Sequence, residues 1–184
     1  MSLKKNDFFY FKPIKSARIS IRELDYSDDF AIFELFSNPN VTKYLSFNHF
    51  SMLEDAKLLI KRAINQYKNE KIFYLGIIHN DEQKLIGYIG LSRYDLSKTT
   101  CQVVYALNEK YWHKGLMVDA LKLFISYLFN DLNKQIIIAT HIDVNKTSGR
   151  VMEKAGMERD RNYDQQMIIK GKTEKLIGYS ITKE

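Results

Sequence analysis

The sequence predicts an α/β domain built on one mixed sheet, and three features carry that expectation. Several segments show the two-residue alternation of half-buried strands, interspersed with about four helical patterns. The run Ile136-Ile137-Ile138-Ala139 is continuously apolar, as suits a central strand covered on both faces. Leu116 to Leu132, just before it, is apolar almost all round, with Asp119, Lys122, Ser126 and Asn133 as a narrow polar stripe. Such a helix is expected to lie buried against the sheet.

Taken in order, Arg18 to Leu24 alternates Ile19 and Ile21 with Ser20 and Arg22, the period of a strand. A helix is expected from about Ser27, with Phe30, Phe33 and Phe36 on one side, ending before Pro39. A second helix starts at Ser51, where Ser51-x-x-Glu54 reads as a capping box, and Met52, Ala56, Leu59, Ala63 and Tyr67 keep helical spacing. Ile72 to His79 and Leu85 to Ser92 read as strands around the polar turn Asn80-Asp81-Glu82-Gln83, and Thr100 to Leu107 completes an antiparallel meander. After the buried helix and the strand Gln135 to Ile142, Asn145 opens a short helix that stops at Gly156. Strands near Gln166 to Lys170 and Leu176 to Ile181 flank the hairpin turn Lys170-Gly171-Lys172. The reading gives about six or seven strands and about four helices.

The 184 residues, 45% hydrophobic and 27% charged, suit one folded domain and exclude global disorder. No run approaches the roughly 18 apolar residues a membrane span needs, and Met1 to Asp7 carries no secretory apolar segment. Cys101 is the only cysteine and the four histidines have no zinc spacing, so a cytoplasmic, reduced, metal-free protein is expected. The net charge of +6 sits at one end. Residues 1 to 22 hold six basic side chains against Asp7, and the rest of the chain is nearly balanced. With 21 lysines among the 28 basic residues, nucleic acid is not the expected partner. Residues 1–15, containing Phe8, Phe9, Tyr10 and Phe11, read as a basic aromatic arm, and residues 16–184 as a single domain.

Chemistry is concentrated in two places. In Asn108-Glu109-Lys110-Tyr111-Trp112-His113-Lys114-Gly115-Leu116-Met117 a glycine stands at a strand-to-helix turn. There, backbone N–H groups at the positive end of the helix dipole can cradle an anion, although plain turn chemistry uses glycine in the same way. In Asn145-Lys146-Thr147-Ser148, Asn145 is the expected N-cap, and Ser148 shares a helix face with Met152 and Ala155. Its hydroxyl then points inward, as a proton donor or ligand contact, or serves only the first turn of its own helix.

These two stretches, Tyr105-Ala106-Leu107 followed by Tyr111 to Leu121, and Asn145-x-x-Ser148-x-x-Val151-Met152-Glu153-Lys154-Ala155-Gly156-Met157, resemble the GCN5-related N-acetyltransferase (GNAT) superfamily. The closer likeness is to the branch that acetylates the N-terminal amine of ribosomal proteins, with polyamine and aminoglycoside acetyltransferases as relatives. The likeness runs from about Ser16 to Thr182 and includes Leu85-Ile86-Gly87-Tyr88-Ile89-Gly90. It implies a sheet splayed between Thr100–Leu107 and Gln135–Ile142, with the pantetheine arm of acetyl-CoA in the gap and CoA as the product. It implies backbone contacts at Leu107, a pyrophosphate loop over Trp112, His113, Lys114, Gly115, Leu116, Met117 and Val118, and a coenzyme contact at Asn145. Ser148, also a coenzyme contact, and Tyr105 are the implied catalytic residues, Ser148 protonating the leaving thiolate. Relatives often form homodimers. The expected activity is acetylation of a primary amine, foremost a protein N-terminus; polyamines and aminoglycosides are alternative acceptors, and a non-catalytic CoA-binding module is the alternative from another class.

Three positions depart from the family pattern. His113 replaces a glycine and would be strained at positive φ. Met117 replaces a small residue, and either crowds the phosphates or packs into the core. Gln102 stands where a glutamate is usual and cannot act as a general base. Cys101 reads as a small core residue, Glu109 as solvated, and Trp112 as a loop anchor more than an adenine platform. Tyr44 to Phe50 is the implied wall of the acceptor site, and its aromatics equally suit a small satellite cluster.

Overall fold

The computed structural model describes residues 11–69, 74–93 and 99–183. The aromatic arm residues Phe8 to Tyr10 and the expected strand start at Ile72 lie outside the described residues. Phe11 to Lys15, grouped by charge with the arm, pack onto the domain. Phe11 is 1% exposed, its ring meets the edge of Tyr127 at 4.8 Å, and Ile14–Lys15 forms strand β1.

The other strands are β2 (Ile19–Glu23), β3 (Tyr74–His79), β4 (Lys84–Arg93), β5 (Thr100–Leu107), β6 (Ile136–Ile142), β7 (Glu158–Arg159), β8 (Gln165–Ile169) and β9 (Lys172–Thr182). They form a nine-stranded sheet in the order β1-β2-β3-β4-β5-β6-β9-β7, with β8 also paired to β9. Strands β2 to β5 are the antiparallel meander, β5 and β6 run parallel, and β6 and β9 pair antiparallel along the whole of β6. The strands beyond the expected number are the two-residue pieces β1 and β7, too short to show a period.

Five helices are present among the described residues: α1 (Asp29–Ser37), α2 (Pro39–Thr42), α3 (Leu53–Asn69), α4 (Leu116–Asn130) and α5 (Lys146–Lys154). Here α2 is the addition. Pro39 does end α1, but it also occupies the first turn of α2, where a missing N–H costs nothing, and Asn38 caps it. In α1 the buried face is Ile32, Leu35 and Phe36; Phe30 lies on the opposite side and is 72% exposed. The helix also begins later than Ser27, because Tyr26–Asp28 makes a 3₁₀ turn capped by Asp25. The expected Ser51–Glu54 capping box is replaced one residue on. Asp55 accepts the N–H groups of Ser51 (2.9 Å) and Met52 (3.1 Å), while Glu54 pairs with Lys57.

The two sheet faces can be assigned from cross-strand partners, which share a face. Tyr88 lies opposite Ala106 and meets Phe36 of α1 at 5.4 Å, so α1 covers the face of Gln102, Val104 and Ala106. Tyr105, on the alternate face, hydrogen-bonds Ser148 of α5, and α4 packs beside α5. No helix of the described residues is long and apolar enough to cross a membrane.

Candidate active site

The central feature is a fork between β5 and β6. The two strands pair only at Thr100–Ile136, Cys101–Ile137 and Gln102–Ile138. Yet β4 follows β5 as far as Leu107, and β9 follows β6 as far as Ile142. Neither strand ends after Gln102; they part, and the inner edge of each loses its partner.

The backbone of β5 is oriented to use that gap. The Asn108 N–H donates to the Ile86 carbonyl (2.8 Å), which makes Leu107 and Gly87 a non-hydrogen-bonded pair in the antiparallel ladder. The N–H and C=O of Leu107 therefore turn away from β4, into the gap. The carbonyl is already taken: the Trp112 indole N–H donates to it at 2.7 Å. Trp112 thus has the geometry of an anchor, and the Leu107 N–H remains as the donor directed into the gap.

At the mouth of the gap the chain turns into α4. Gly115, at φ 77°, caps the helix without a side-chain contact, and His113 takes φ 61°. The expected strain at His113 is therefore present, on the order of 1 kcal/mol for a side chain in the left-handed region. Leu116, Met117 and Val118 begin the helix, so their N–H groups lack helical partners and carry its positive dipole end. Met117 is only 6% exposed, its side chain in the core. Arg18 braces this turn from β2's side, donating to the Lys114 carbonyl (2.9 Å) and to Asp119 (2.8 Å). Lys114 itself stands over the Tyr111 ring at 5.1 Å.

On the α5 side of the gap, Asn145 caps the helix by accepting the Ser148 N–H (3.4 Å). The Ser148 hydroxyl is not used in capping. Its Oγ lies 2.9 Å from the Tyr105 Oη, which also reaches the Ser148 carbonyl at 3.1 Å. Burial pushes the Tyr105 phenol above its ordinary pKa, so it stays protonated. Together they form a chain of two hydroxyls on the α5 face of the sheet. On the far side of α5, a cavity of about 440 Å³ is lined by His141, Asp143, Lys146, Arg150, Glu153 and Tyr179. A side chain at Gly149 would lie 2.8 Å from the His141 ring, so glycine lets α5 settle on β6.

On the opposite face, Gln102 donates from Nε2 to the Thr140 Oγ1 at 3.2 Å, bridging the fork just beyond its last backbone pair. Glu109, expected to be solvated, is partly exposed and also accepts from the Asn38 Nδ2 (2.7 Å) and the Asn40 Nδ2 (3.0 Å). At the other end of α2, the Lys170 Nζ donates to the Thr42 carbonyl (2.8 Å). The short helix is therefore held at both ends, by the β5–α4 turn and by the β8–β9 hairpin. The aromatics of 44–50 divide: Phe47 meets Phe36 edge-on and Phe50 packs against it at a tilt, while Tyr44 packs with Ile142, Ile169 and Leu176. Cys101 is 3% exposed with its thiol pushed up to about 11 by burial, an inert core side chain. Among the described residues, no group of His, Cys, Asp or Glu could hold a metal ion.

Arg18, Thr140 and Lys170 were not singled out by the sequence. Their partners lie far along the chain or on a neighbouring strand, and no local pattern announces them.

Comparison with known proteins agrees with this geometry. A family model described as an acetyltransferase (GNAT) domain matches residues 18–158. An N-acetyltransferase of Bacillus subtilis, YnaD, is 34% identical over 147 residues, covering 80% of this chain and 83% of that protein. The ribosomal protein uS5-alanine N-acetyltransferase of Escherichia coli is 30% identical over 110 residues, 59% of this chain and 57% of that one. Among solved structures, a GNAT-family acetyltransferase from Bacillus anthracis superposes with a TM-score of 0.81 at 26% identity, covering 93% of this chain and 98% of that chain. The fold, the fork and the family match lead to one statement: this chain belongs to the GNAT acetyltransferase family and is an N-acetyltransferase.

Proposed function

We propose that the chain moves an acetyl group from acetyl-CoA to a primary amine, the N-terminal α-amine of a protein, with ribosomal proteins as the first candidates. The observation that carries the reading is the fork, with the Leu107 N–H on its inner edge and the free amides of Leu116 to Val118 at its mouth. These residues fit the coenzyme: a slot between unpaired strand edges suits a thin pantetheine arm. The α4 end, opened by a glycine that leaves no Cβ over it, suits a diphosphate. A structural neighbour, the microcin C7 self-immunity acetyltransferase MccE, was solved with acetyl-CoA (TM-score 0.81, 19% identity, 91% and 94% coverage).

Acetyl-CoA supplies an activated thioester. The chain's own contribution is position and proton management. Lys114 to Val118 and Asn145 hold the coenzyme, with Trp112 and His113 shaping the turn, and the Leu107 N–H faces the thioester region as a donor for developing negative charge. The neutral amine nitrogen bonds to the thioester carbon, the carbon–sulfur bond breaks, and the sulfur takes a proton from the Ser148 hydroxyl. Tyr105, neutral and 2.9 Å away, returns a proton to Ser148 as it takes one from water, so both hydroxyls end as they began. The proton lost by the amine passes to water, because Gln102 is an amide and is engaged with Thr140. That lack of a base favours an α-amine, which titrates near 8, over a lysine near 10.4.

Calorimetry with acetyl-CoA and a screen of peptides with free N-termini test the reading. Binding and N-terminal acetylation are expected, with kcat/KM rising through about pH 8 as the acceptor amine deprotonates. Ser148→Ala should lower kcat about tenfold or more and leave the affinity for acetyl-CoA within twofold. Absence of binding heat, or unchanged turnover in the variant, contradicts the assignment.

A further inference from the structure

The proposed transfer leaves open what kind of chain carries the amine, and the charge around the acceptor side of the fork bears on it. With α4 and α5 covering one face, the amine is taken to reach the gap from the face of Gln102 and Thr140, between α1, which packs on β4, and the β8–β9 hairpin. The floor there consists of Gln102, Val104, Ala106, Ile138, Thr140 and Ile142, without a charged side chain. The implied wall, Tyr44 to Phe50, and the α2 segment leading into it contain no aspartate or glutamate from residue 36 to residue 51, and Lys43 is the single full charge there.

The hairpin closes on this wall. The bond from the Lys170 Nζ to the Thr42 carbonyl places the hairpin tip against α2, beside Lys43, and Lys172 follows two residues later. Lys43, Lys170 and Lys172 are all exposed, and among the described residues none has a carboxylate partner. By contrast Lys57, Lys84, Lys110 and Lys146 each pair with one. The carboxylates around this face are mostly engaged. Glu109 has both oxygens taken by Asn38 and Asn40, Asp160 accepts from Ser180, Asp164 pairs with Arg159 and Asp143 with Lys146, while Glu174 stands on the β9 strand against the three ammonium groups.

We infer that the acceptor is a polypeptide whose N-terminal segment is acidic, its carboxylates seated on Lys43, Lys170 and Lys172 while its α-amine enters the fork. The inference rests on the proposed function and adds the substrate's charge. A polyamine or aminoglycoside would meet lysines where it needs carboxylates, and a basic N-terminus would be repelled in the same way.

The test uses the full-length protein, acetyl-CoA, and three peptides with the same free N-terminal Ser-Ala, followed by four Glu, four Gln or four Lys, with spermidine as a fourth acceptor. The Glu peptide is expected to exceed the Gln peptide about tenfold in kcat/KM, with the Lys peptide lower still and spermidine unused. The advantage should shrink at roughly 0.5 M salt. The surface double variant Lys43→Glu/Lys172→Glu should reverse the order of the peptides while keeping the melting temperature and the affinity for acetyl-CoA. Peptides within twofold of one another, or preference for Lys or spermidine, overturn the inference and leave the transferase reading intact. If acetyl-CoA binds and no peptide turns over, the α-amine reading fails instead. Fluorescence anisotropy of the Glu and Lys peptides on the CoA-bound protein then decides the charge question, equal binding refuting it.

Discussion

Along its β5 flank the gap is framed by residues held from several directions, whereas along its β6 flank the framing hairpin is held at few points. On the first flank Trp112 fastens Leu107, Arg18 fastens Lys114, and Glu109 is fastened by two asparagines. On the second, Gln165 to Ile168 are exposed and Ile169 is the only buried residue of β8. Ile168 is 76% exposed, and nothing lies within 4 Å of where a side chain on Gly171 would begin. The contrast matches the two demands on a transferase. On the proposed function, the coenzyme would always be the same molecule and would reward a rigid frame, while the acceptor would be read by a surface that can change without unsettling the fold.

The sharpest way to break this comparison is Gly87→Ala. Its Cβ would lie 2.5 Å from the Ala106 carbonyl and 3.0 Å from Leu107, inside the ladder that supports the rigid flank. A loss of about 3 kcal/mol is expected in chemical denaturation. Trp112→Phe comes next. It removes the donor from the Leu107 carbonyl and leaves that buried group unpaired, at a cost of about 2 kcal/mol. Calorimetry should also show weaker binding of acetyl-CoA, by about fivefold. On the yielding flank, Gly171→Ala meets no atom but keeps φ 79°, so it should cost only about 1 kcal/mol and leave coenzyme affinity unchanged. If Gly171→Ala proved as damaging as Gly87→Ala, the distinction between the flanks would be lost.

A smaller effect sharpens the picture through pH. Lys110 and Lys84 hold the Glu34 carboxyl at about 2, tying α1 to the β5–α4 turn. A carboxylate with a depressed folded pKa stabilises above its unfolded value, near 4.3, and that stabilisation fades as pH falls toward about 2. The pair is partly exposed, so the effect is modest. Denaturation of wild type and Glu34→Gln should differ at pH 7 and converge in acid; a gap that stays constant with pH would assign the difference to packing.

What could be read from the sequence was what sits in local pattern. Ile136 to Ala139 as the central strand, Gly115 at the helix entrance and Asn145 capping toward Ser148 each depend on neighbours within a few residues. The fastenings were not legible because they close over long loops: Arg18 reaches Asp119 across 101 residues, and Asn38 reaches Glu109 across 71. Errors of register arose where two answers were chemically equivalent. Glu54 and Asp55 are both acidic near the start of α3, and only the fold selects Asp55. Likewise α1 offers phenylalanines at 30, 33 and 36, and packing chose the stripe of Ile32, Leu35 and Phe36, leaving Phe30 in water.

The double fastening of α2 has a mechanical meaning. With Glu109 gripping Asn38 and Lys170 gripping Thr42, four residues of helix, about 6 Å of rise, act as a crossbar between the two jaws of the fork. A crossbar sets a ceiling on how far the jaws can spread, so whatever enters between them must be slender. It also couples the jaws: a push on the β5 side would pass, through one helical turn, to the hairpin tip where the proposed acceptor would arrive.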